Sequence, residues 1–81
     1  MDALDGNALA GPLFEYFGAE MTTAAGACAH CGAAALLAEL HVYGRAPGTV
    51  ARCPGCGEVV LVVVEIRGSV RVELSGFQLA G

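Results

Sequence analysis

Apolar and polar residues form two strand-like patterns in the C-terminal half of the chain. Val59–Arg67 is a run of valine, leucine and isoleucine broken only near its end, and Val70–Ser75 alternates strictly between apolar and polar residues. β-Branched residues at this density favour strands, because their side chains pack well on a pleated surface and are restricted in helices. Gly68-Ser69 separates the two stretches, so the pattern predicts a β-hairpin.

The side-chain faces of this hairpin predict its register. A three-residue loop, Arg67-Gly68-Ser69, places Ile66 opposite Val70 and keeps apolar residues of both strands on one face. It also sets Glu65 opposite Arg71, which is a favourable charge pair. The other pairs in this register are Val64 with Val72 and Val62 with Leu74. A second apolar row remains, which we expect the N-terminal segment or a second copy of the chain to cover: Val59, Leu61 and Val63.

A weaker pattern of the same kind precedes this hairpin. Leu36–Tyr43 is predicted as a strand and Thr49–Arg52 as its return, with a glycine- and proline-containing turn between them. A four-residue loop pairs Glu39 with Arg52, whereas a three-residue loop pairs Val42 with Val50. The side-chain pattern does not select one of these registers.

The N-terminal segment has a helical pattern. Apolar residues recur at spacings of four, one and three, which places them on one helical face: Leu9, Leu13, Phe14 and Phe17. This predicts a helix over Ala8–Phe17 that ends at Gly18, with Pro12 tolerated in the first turn, where backbone N–H groups have no partner. The small and polar stretch Met21–Ala27 that follows is predicted as a linker.

Two copies of a Cys-x-x-Cys-Gly sequence precede the two predicted hairpins. They are Cys28-Ala29-His30-Cys31-Gly32 and Cys53-Pro54-Gly55-Cys56-Gly57, so the chain contains an internal twofold repeat. Two residues between cysteines allow a tight turn in which both sulfurs reach one metal ion, and the following glycine suits a backbone with positive φ. Zinc prefers four ligands in a tetrahedron, and thiolates match its borderline-soft character. The sequence therefore predicts one closed, structural metal site with these ligands: Cys28, Cys31, Cys53 and Cys56.

Two disulfides and a thioredoxin-like redox pair are the alternatives for these cysteines. Asp2 and Asp5 follow Met1 where a secretory signal would carry positive charge, and the longest strongly apolar run has six residues. A membrane-spanning helix needs about 20. Cytosolic thiols stay reduced, and the chain is too short for the βαβ setting of a redox motif. We therefore expect a cytoplasmic protein with reduced cysteines and no membrane span.

Iron is the competing metal, because tetrathiolate sites serve both zinc and iron. The second cysteine turn resembles those of rubredoxins as well as those of zinc ribbons. Rubredoxins pack aromatic residues including Trp around their iron, whereas this chain has no Trp. We predict one zinc ion per chain, with a rubredoxin-like iron electron carrier as the alternative. His30 lies inside the first turn, but four cysteines already complete the tetrahedron, so its role stays open.

Size and charge restrict the function further. With 81 residues, the chain has a core that alone gives marginal stability, and a bound metal would compensate. The net charge of −4 makes nucleic-acid binding unexpected, since that affinity comes mostly from basic residues; a local patch of Arg45 and Arg52 is the exception to consider. No triad-like constellation and no phosphate-binding glycine-rich motif accompanies the cysteines, so we expect a non-enzymatic protein.

The two cysteine turns, each followed by a hairpin, resemble the zinc-ribbon superfamily over roughly Ala27–Leu74. Together with Leu4–Gly11, they are similar to a family of small actinobacterial zinc-ribbon proteins, a domain of unknown function. The resemblance implies a cytosolic zinc protein without an assigned activity. Zinc ribbons in general serve as interaction modules, so a protein partner or a homodimer is expected. The predicted fold is a small metal-stabilised β structure, with residues 1–20 as an N-terminal helical segment and residues 27–75 as the zinc-ribbon domain.

Overall fold

The computed structural model describes residues 4–45 and 48–80. These residues form a small β-rich fold with one short α-helix and two 3₁₀ turns. The elements in chain order are β1 (Leu4–Asp5), a 3₁₀ turn (Gly6–Leu9), α1 (Ala10–Phe17), β2 (Ala25–Cys28), β3 (Ala34–Leu36), a second 3₁₀ turn (Leu37–Glu39), β4 (His41–Arg45), β5 (Gly48–Arg52), β6 (Val59–Ile66), β7 (Ser69–Glu73) and β8 (Phe77–Leu79). None of the helices in these ranges has the length and apolar character needed to cross a membrane.

The strands form two antiparallel sheets. The larger sheet has the order β1-β4-β5-β6-β7, and the smaller sheet has the order β3-β2-β8. Ala25–Cys28 is therefore a strand, and the prediction of a linker is wrong over the first three of these residues. Gly26 explains the close pairing with β8, because a Cβ at this position would overlap the ring of Phe77. Sequence analysis did not predict β8, whose Phe77 is buried in the core.

The predicted helix is confirmed, with a later start. The chain forms a 3₁₀ turn before α1, so the α-helix begins at Ala10 and ends at Phe17. Gly18 ends the helix as predicted: its φ is 74°, and its N–H donates to the carbonyl of Phe14 at 2.7 Å. Pro12 lies in the first turn of α1, where its missing N–H costs nothing.

Only part of the predicted apolar face of the helix is buried. Leu9 and Leu13 join the core that also contains Leu61 and Val63, which confirms that the N-terminal segment covers this side of the large sheet. Phe14 and Phe17 are 55% and 38% exposed, so the prediction that they share this role is wrong. The short helix packs against β7, and Leu13 is its buried residue, so its buried stripe is narrow.

The β6–β7 hairpin is confirmed, but its register differs by one residue from the predicted one. Glu65 pairs with Val70 and Val64 pairs with Arg71, so the predicted pairing of Glu65 with Arg71 is wrong. The loop contains two residues, Arg67-Gly68, with φ values of 50° and 79°. Positive φ at both central positions is typical of a type I′ turn, whose twist matches that of the flanking strands.

The different register exchanges the roles of the two faces of the hairpin. The row with Leu61 and Val63, predicted as the surplus face, is the buried inner face of the large sheet. The row predicted to form the shared apolar face lies on the opposite side, where Ile66 is 53% exposed. Neighbouring strands extend this row, which we call the outer face; its apolar residues are Tyr43, Val50, Val62, Val64 and Ile66.

The β4–β5 hairpin has a register that neither of the considered loop lengths produces. His41 pairs with Arg52, and Tyr43 pairs with Val50. This pairing leaves two residues, Ala46-Pro47, for the loop, and they lie outside the described residues. The hairpin is therefore confirmed as an element, whereas both predicted pairings are wrong.

The stretch predicted as one strand over Leu36–Tyr43 is divided between the two sheets. Ala34–Leu36 pairs with β2 in the small sheet, and the second 3₁₀ turn redirects the chain into β4 of the large sheet. Glu39 stabilises this change of direction, because its carboxylate accepts a hydrogen bond of 2.6 Å from the N–H of Leu36. Leu37 and Leu40 are fully buried at this crossing between the sheets.

Candidate metal centre

Each Cys-x-x-Cys-Gly turn connects two antiparallel strands. Cys28–Gly32, which we call knuckle 1, leads from β2 to β3, and Cys53–Gly57, which we call knuckle 2, leads from β5 to β6. Knuckle 2 is followed directly by the β6–β7 hairpin, as predicted. Knuckle 1 is followed by β3 and a 3₁₀ turn before the β4–β5 hairpin begins.

The two knuckles have the same backbone hydrogen bonds. The N–H of Gly32 donates to the carbonyl of Cys28 at 2.8 Å, and the N–H of Gly57 donates to that of Cys53 at 2.9 Å. In each knuckle, the N–H of the first cysteine also donates to the carbonyl five residues later, at 2.9 Å in both cases. Both glycines have a φ of 78°, which confirms the prediction of positive φ. The sequence repeat is therefore a repeat of backbone conformation.

The knuckles bring the four predicted ligand atoms together. All four cysteine Sγ atoms lie within 4.8 Å of one another. The Sγ atoms of Cys28 and Cys56 are 3.7 Å apart, as are those of Cys31 and Cys53. Zinc–sulfur bonds of about 2.3 Å give a tetrahedron with edges of about 3.8 Å, whereas a disulfide joins sulfurs at about 2.05 Å. The cluster consists of free thiols compatible with a structural metal site.

Backbone N–H groups point at the first sulfur of each knuckle. The N–H of His30 donates to Sγ of Cys28, and the N–H of Gly55 donates to Sγ of Cys53, both at 3.3 Å. Donors in these positions favour the charged thiolate over the thiol. His30 thus contributes to the cluster through its backbone, and the residue itself is exposed.

The pKa values of the two thiols of knuckle 2 shift in opposite directions. The N–H groups of Cys56 and Gly55 lower the pKa of Cys53 to about 7, against the effect of burial. The N–H of Glu58 lowers the pKa of Cys56, but burial and the three neighbouring sulfurs outweigh it and raise that pKa to about 12. The raised pKa of Cys56 therefore disfavours its thiolate, and a divalent metal would supply the charge that favours it.

One cysteine of each knuckle is buried and the other is exposed. Cys28 and Cys53 are each 3% exposed and belong to the hydrophobic core, whereas Cys31 and Cys56 are at the surface. An ion bound by all four would connect the small sheet to the large sheet at the border of the core. Four protein ligands also fill a tetrahedral site, which is typical of structural rather than catalytic zinc.

Arg52 is a residue near the site whose contacts sequence analysis missed. Its guanidinium donates to the carbonyl of Gly57 at 2.9 Å and lies 5.9 Å from the centre of the Tyr43 ring. It thereby fastens knuckle 2 to the large sheet. The sequence suggested a phosphate-binding patch of Arg52 with Arg45, whose side chain lies outside the described residues. The position of Arg52 directly before Cys53 was the available signal for its contact with the knuckle.

Comparisons with known proteins place the chain in a family. No curated protein and no solved structure matches it. The model of a family of unknown function (DUF6510) matches residues 1–80, a range that includes the N-terminal helix as well as both knuckles. The chain therefore belongs to this family of unknown function, DUF6510.

Proposed function

We propose that the protein is a non-enzymatic zinc-binding protein that acts through contacts with another protein chain. The observation that carries this proposal is the set of four free thiols at tetrahedral separations, 3.7 Å for the two closest pairs. These thiols would supply every ligand of one structural zinc ion, which leaves no coordination position for a substrate. The ligands would be Cys28, Cys31, Cys53 and Cys56.

Zinc is the proposed metal, and the two knuckles are proposed as the metal-binding turns of a zinc ribbon. The proposal of zinc over iron is supported by the absence of Trp from the sequence. A rubredoxin-like iron electron carrier is the alternative, since the exposed Cys31 and Cys56 would give electrons a short path to an iron ion. The two metals differ in colour, because ferric tetrathiolate is red and zinc is colourless.

The outer face of the large sheet supports the proposal of protein contacts. Its apolar residues form a continuous row across β4, β5 and β6, and contiguous apolar patches of this kind mark interaction sites. Nucleic-acid binding is the third candidate, which the net charge of −4 disfavours. A cytoplasmic location and an actinobacterial source remain predictions of the sequence pattern and of the family resemblance.

Elemental analysis of the untagged protein, produced in medium with both zinc and iron, tests this function. We expect a colourless protein with one zinc ion per chain and four thiols that react with an alkylating reagent only after chelation. Cys31→Ser/Cys56→Ser should lose the zinc, whereas the matched control His30→Ala should retain it. Two disulfides without metal would contradict the site, and a red, iron-containing protein would select the electron-carrier alternative.

A further inference from the structure

β7 is the longest edge strand in the described part of the fold. It ends the large sheet and contains five residues, whereas β1, β3 and β8 contain two or three. Natural proteins protect sheet edges with short strands, charged side chains, prolines or bulges, or by covering the edge with a helix. β7 contains no proline, and its pairing with β6 has no irregularity, but it carries Arg71 and Glu73. These two charges therefore determine which strand can pair with its outer edge.

The turn between β6 and β7 determines which backbone groups of β7 are free. Ile66 and Ser69 flank this two-residue turn, so they form a hydrogen-bonded pair. Hydrogen-bonded and non-hydrogen-bonded pairs alternate along antiparallel strands. The backbone groups of Arg71 therefore point toward β6, and those of Val70 and Val72 point away from the sheet.

There is open space beside this edge. A surface depression of about 290 Å³ is lined by residues from both faces of β7, from β6 and from α1: Tyr16, Val62, Val64, Arg71, Val72 and Glu73. Residues from both faces of β7 line this depression, so it adjoins the strand on the side where Tyr16 of α1 lies.

We propose that the occupant is a second copy of this chain, paired through β7 about a twofold axis. Antiparallel pairing with Val72 on the axis sets Val72 opposite the partner's Val72. It also sets Arg71 opposite the partner's Glu73 and Glu73 opposite the partner's Arg71, because a twofold interface repeats each contact. On the inner face, Val70 lies opposite the partner's Leu74. Each pair from Val70 to Leu74 is then apolar or oppositely charged.

The charges of β7 favour this register over its two neighbours. Residues directly opposite each other point to the same face, so the smallest shift moves the twofold axis by one residue, to Arg71 or to Glu73. Either shift would set a charged residue opposite its own copy in the partner, and like charges in this position are destabilising. The strand Ser69–Glu73 is therefore complementary to itself with Val72 on the axis, which favours a second copy over an unrelated strand.

Sedimentation equilibrium of the metal-loaded full chain, from micromolar to millimolar concentration, tests this dimer. We expect a reversible dimer whose dissociation constant rises by about tenfold or more in Arg71→Glu and in Glu73→Arg, because each variant converts two attractive pairs into two repulsive ones. Arg71→Glu/Glu73→Arg should restore the dimer to within about threefold of the original, since both pairs are reversed.

The matched control for Arg71→Glu is Arg67→Glu, which makes the same change in net charge at the turn beyond the paired residues. Its dissociation constant should equal that of the original protein. Zinc content and circular dichroism of each variant report the fold separately from the association. A chain that stays monomeric at every concentration, or a double variant no tighter than the single ones, would contradict the proposed pairing.

Discussion

Knuckle 1 and knuckle 2 have the same backbone conformation but differ in what holds them. Knuckle 2 joins strands of five and eight residues, and Arg52 donates a hydrogen bond to its last carbonyl. Knuckle 1 joins strands of four and three residues that consist largely of alanine and glycine. Knuckle 1 is also held by a hydrogen bond from the N–H of Ala29 to the carbonyl of Gly76. Its strands are shorter, so an ion shared by both knuckles would stabilise the small sheet more than the large one.

Removing the metal should have the largest effect on stability, and it should unfold the small sheet before the large one. Structural zinc contributes on the order of 10 to 16 kcal/mol in small peptides at neutral pH, which is as large as the whole net stability of a typical domain. We expect chelation to remove much of the β-sheet signal in circular dichroism. Hydrogen exchange during stepwise chelation should show β2 and β3 losing protection before β6. Protection that persists in β2 and β3 after complete chelation would contradict the expectation that the metal stabilises the small sheet more than the large one.

A methyl group added at a glycine should destabilise the protein more in the small sheet than in the large sheet. A Cβ at Gly26 in β2 would overlap the Phe77 ring and approach the backbone of β8, whereas a Cβ at Gly48 in β5 would meet open space. We expect Gly26→Ala to lower the free energy of unfolding of the zinc-loaded protein by about 1–3 kcal/mol. Gly48→Ala is the matched control and should change it by less than about 0.5 kcal/mol. Urea denaturation measures both, and equal effects would show that β2 and β8 do not pack as described.

The glycines that end the two knuckles should respond equally to substitution. Gly32 and Gly57 both have a φ of 78°, and a Cβ at either would touch nothing. The cost of Gly32→Ala and of Gly57→Ala is therefore conformational, about 1–2 kcal/mol each. Urea denaturation of the zinc-loaded variants should give the same loss for both. A difference larger than about 0.5 kcal/mol would mean that the two knuckles are not conformational copies.

Loss of the Arg52 contact should lower the stability of knuckle 2 toward that of knuckle 1. Arg52→Ala removes the hydrogen bond to Gly57 and the contact with the Tyr43 ring, for an expected loss of about 1 kcal/mol. Hydrogen exchange in knuckle 2 should then approach that in knuckle 1. Arg52→Lys keeps the charge without the planar guanidinium and should recover part of the loss. Unchanged hydrogen exchange in Arg52→Ala would rule out a role for this contact in stabilising knuckle 2.

The four-cysteine cluster was predictable because much of its signal is local. Two residues separate the cysteines of each pair, and the tight turn that this spacing allows is the turn that the structure contains. The glycine after each pair has positive φ for the same local reason. The helix end at Gly18 was predictable on similar grounds.

The register of the hairpins was not predictable from the same pattern. β6 is apolar on both faces, so burial alone does not distinguish the Leu61 row from the Val62 row. The turn that sets the register of the β6–β7 hairpin contains Arg67 with a φ of 50°, a conformation that a non-glycine residue rarely adopts. The small sheet was missed because β2 consists of alanine, glycine and cysteine, and its partner β8 lies near the opposite end of the described chain.

X-ray absorption at the zinc edge, on protein that acquired its metal during expression, tests the central claim most directly. The four-cysteine cluster predicts a coordination shell of four sulfur atoms at about 2.3 Å and no nitrogen or oxygen ligand. The same spectrum should be obtained from His30→Ala. A shell with three sulfurs and one nitrogen or oxygen, or a protein that contains no zinc, would contradict a closed structural site formed by the two knuckles.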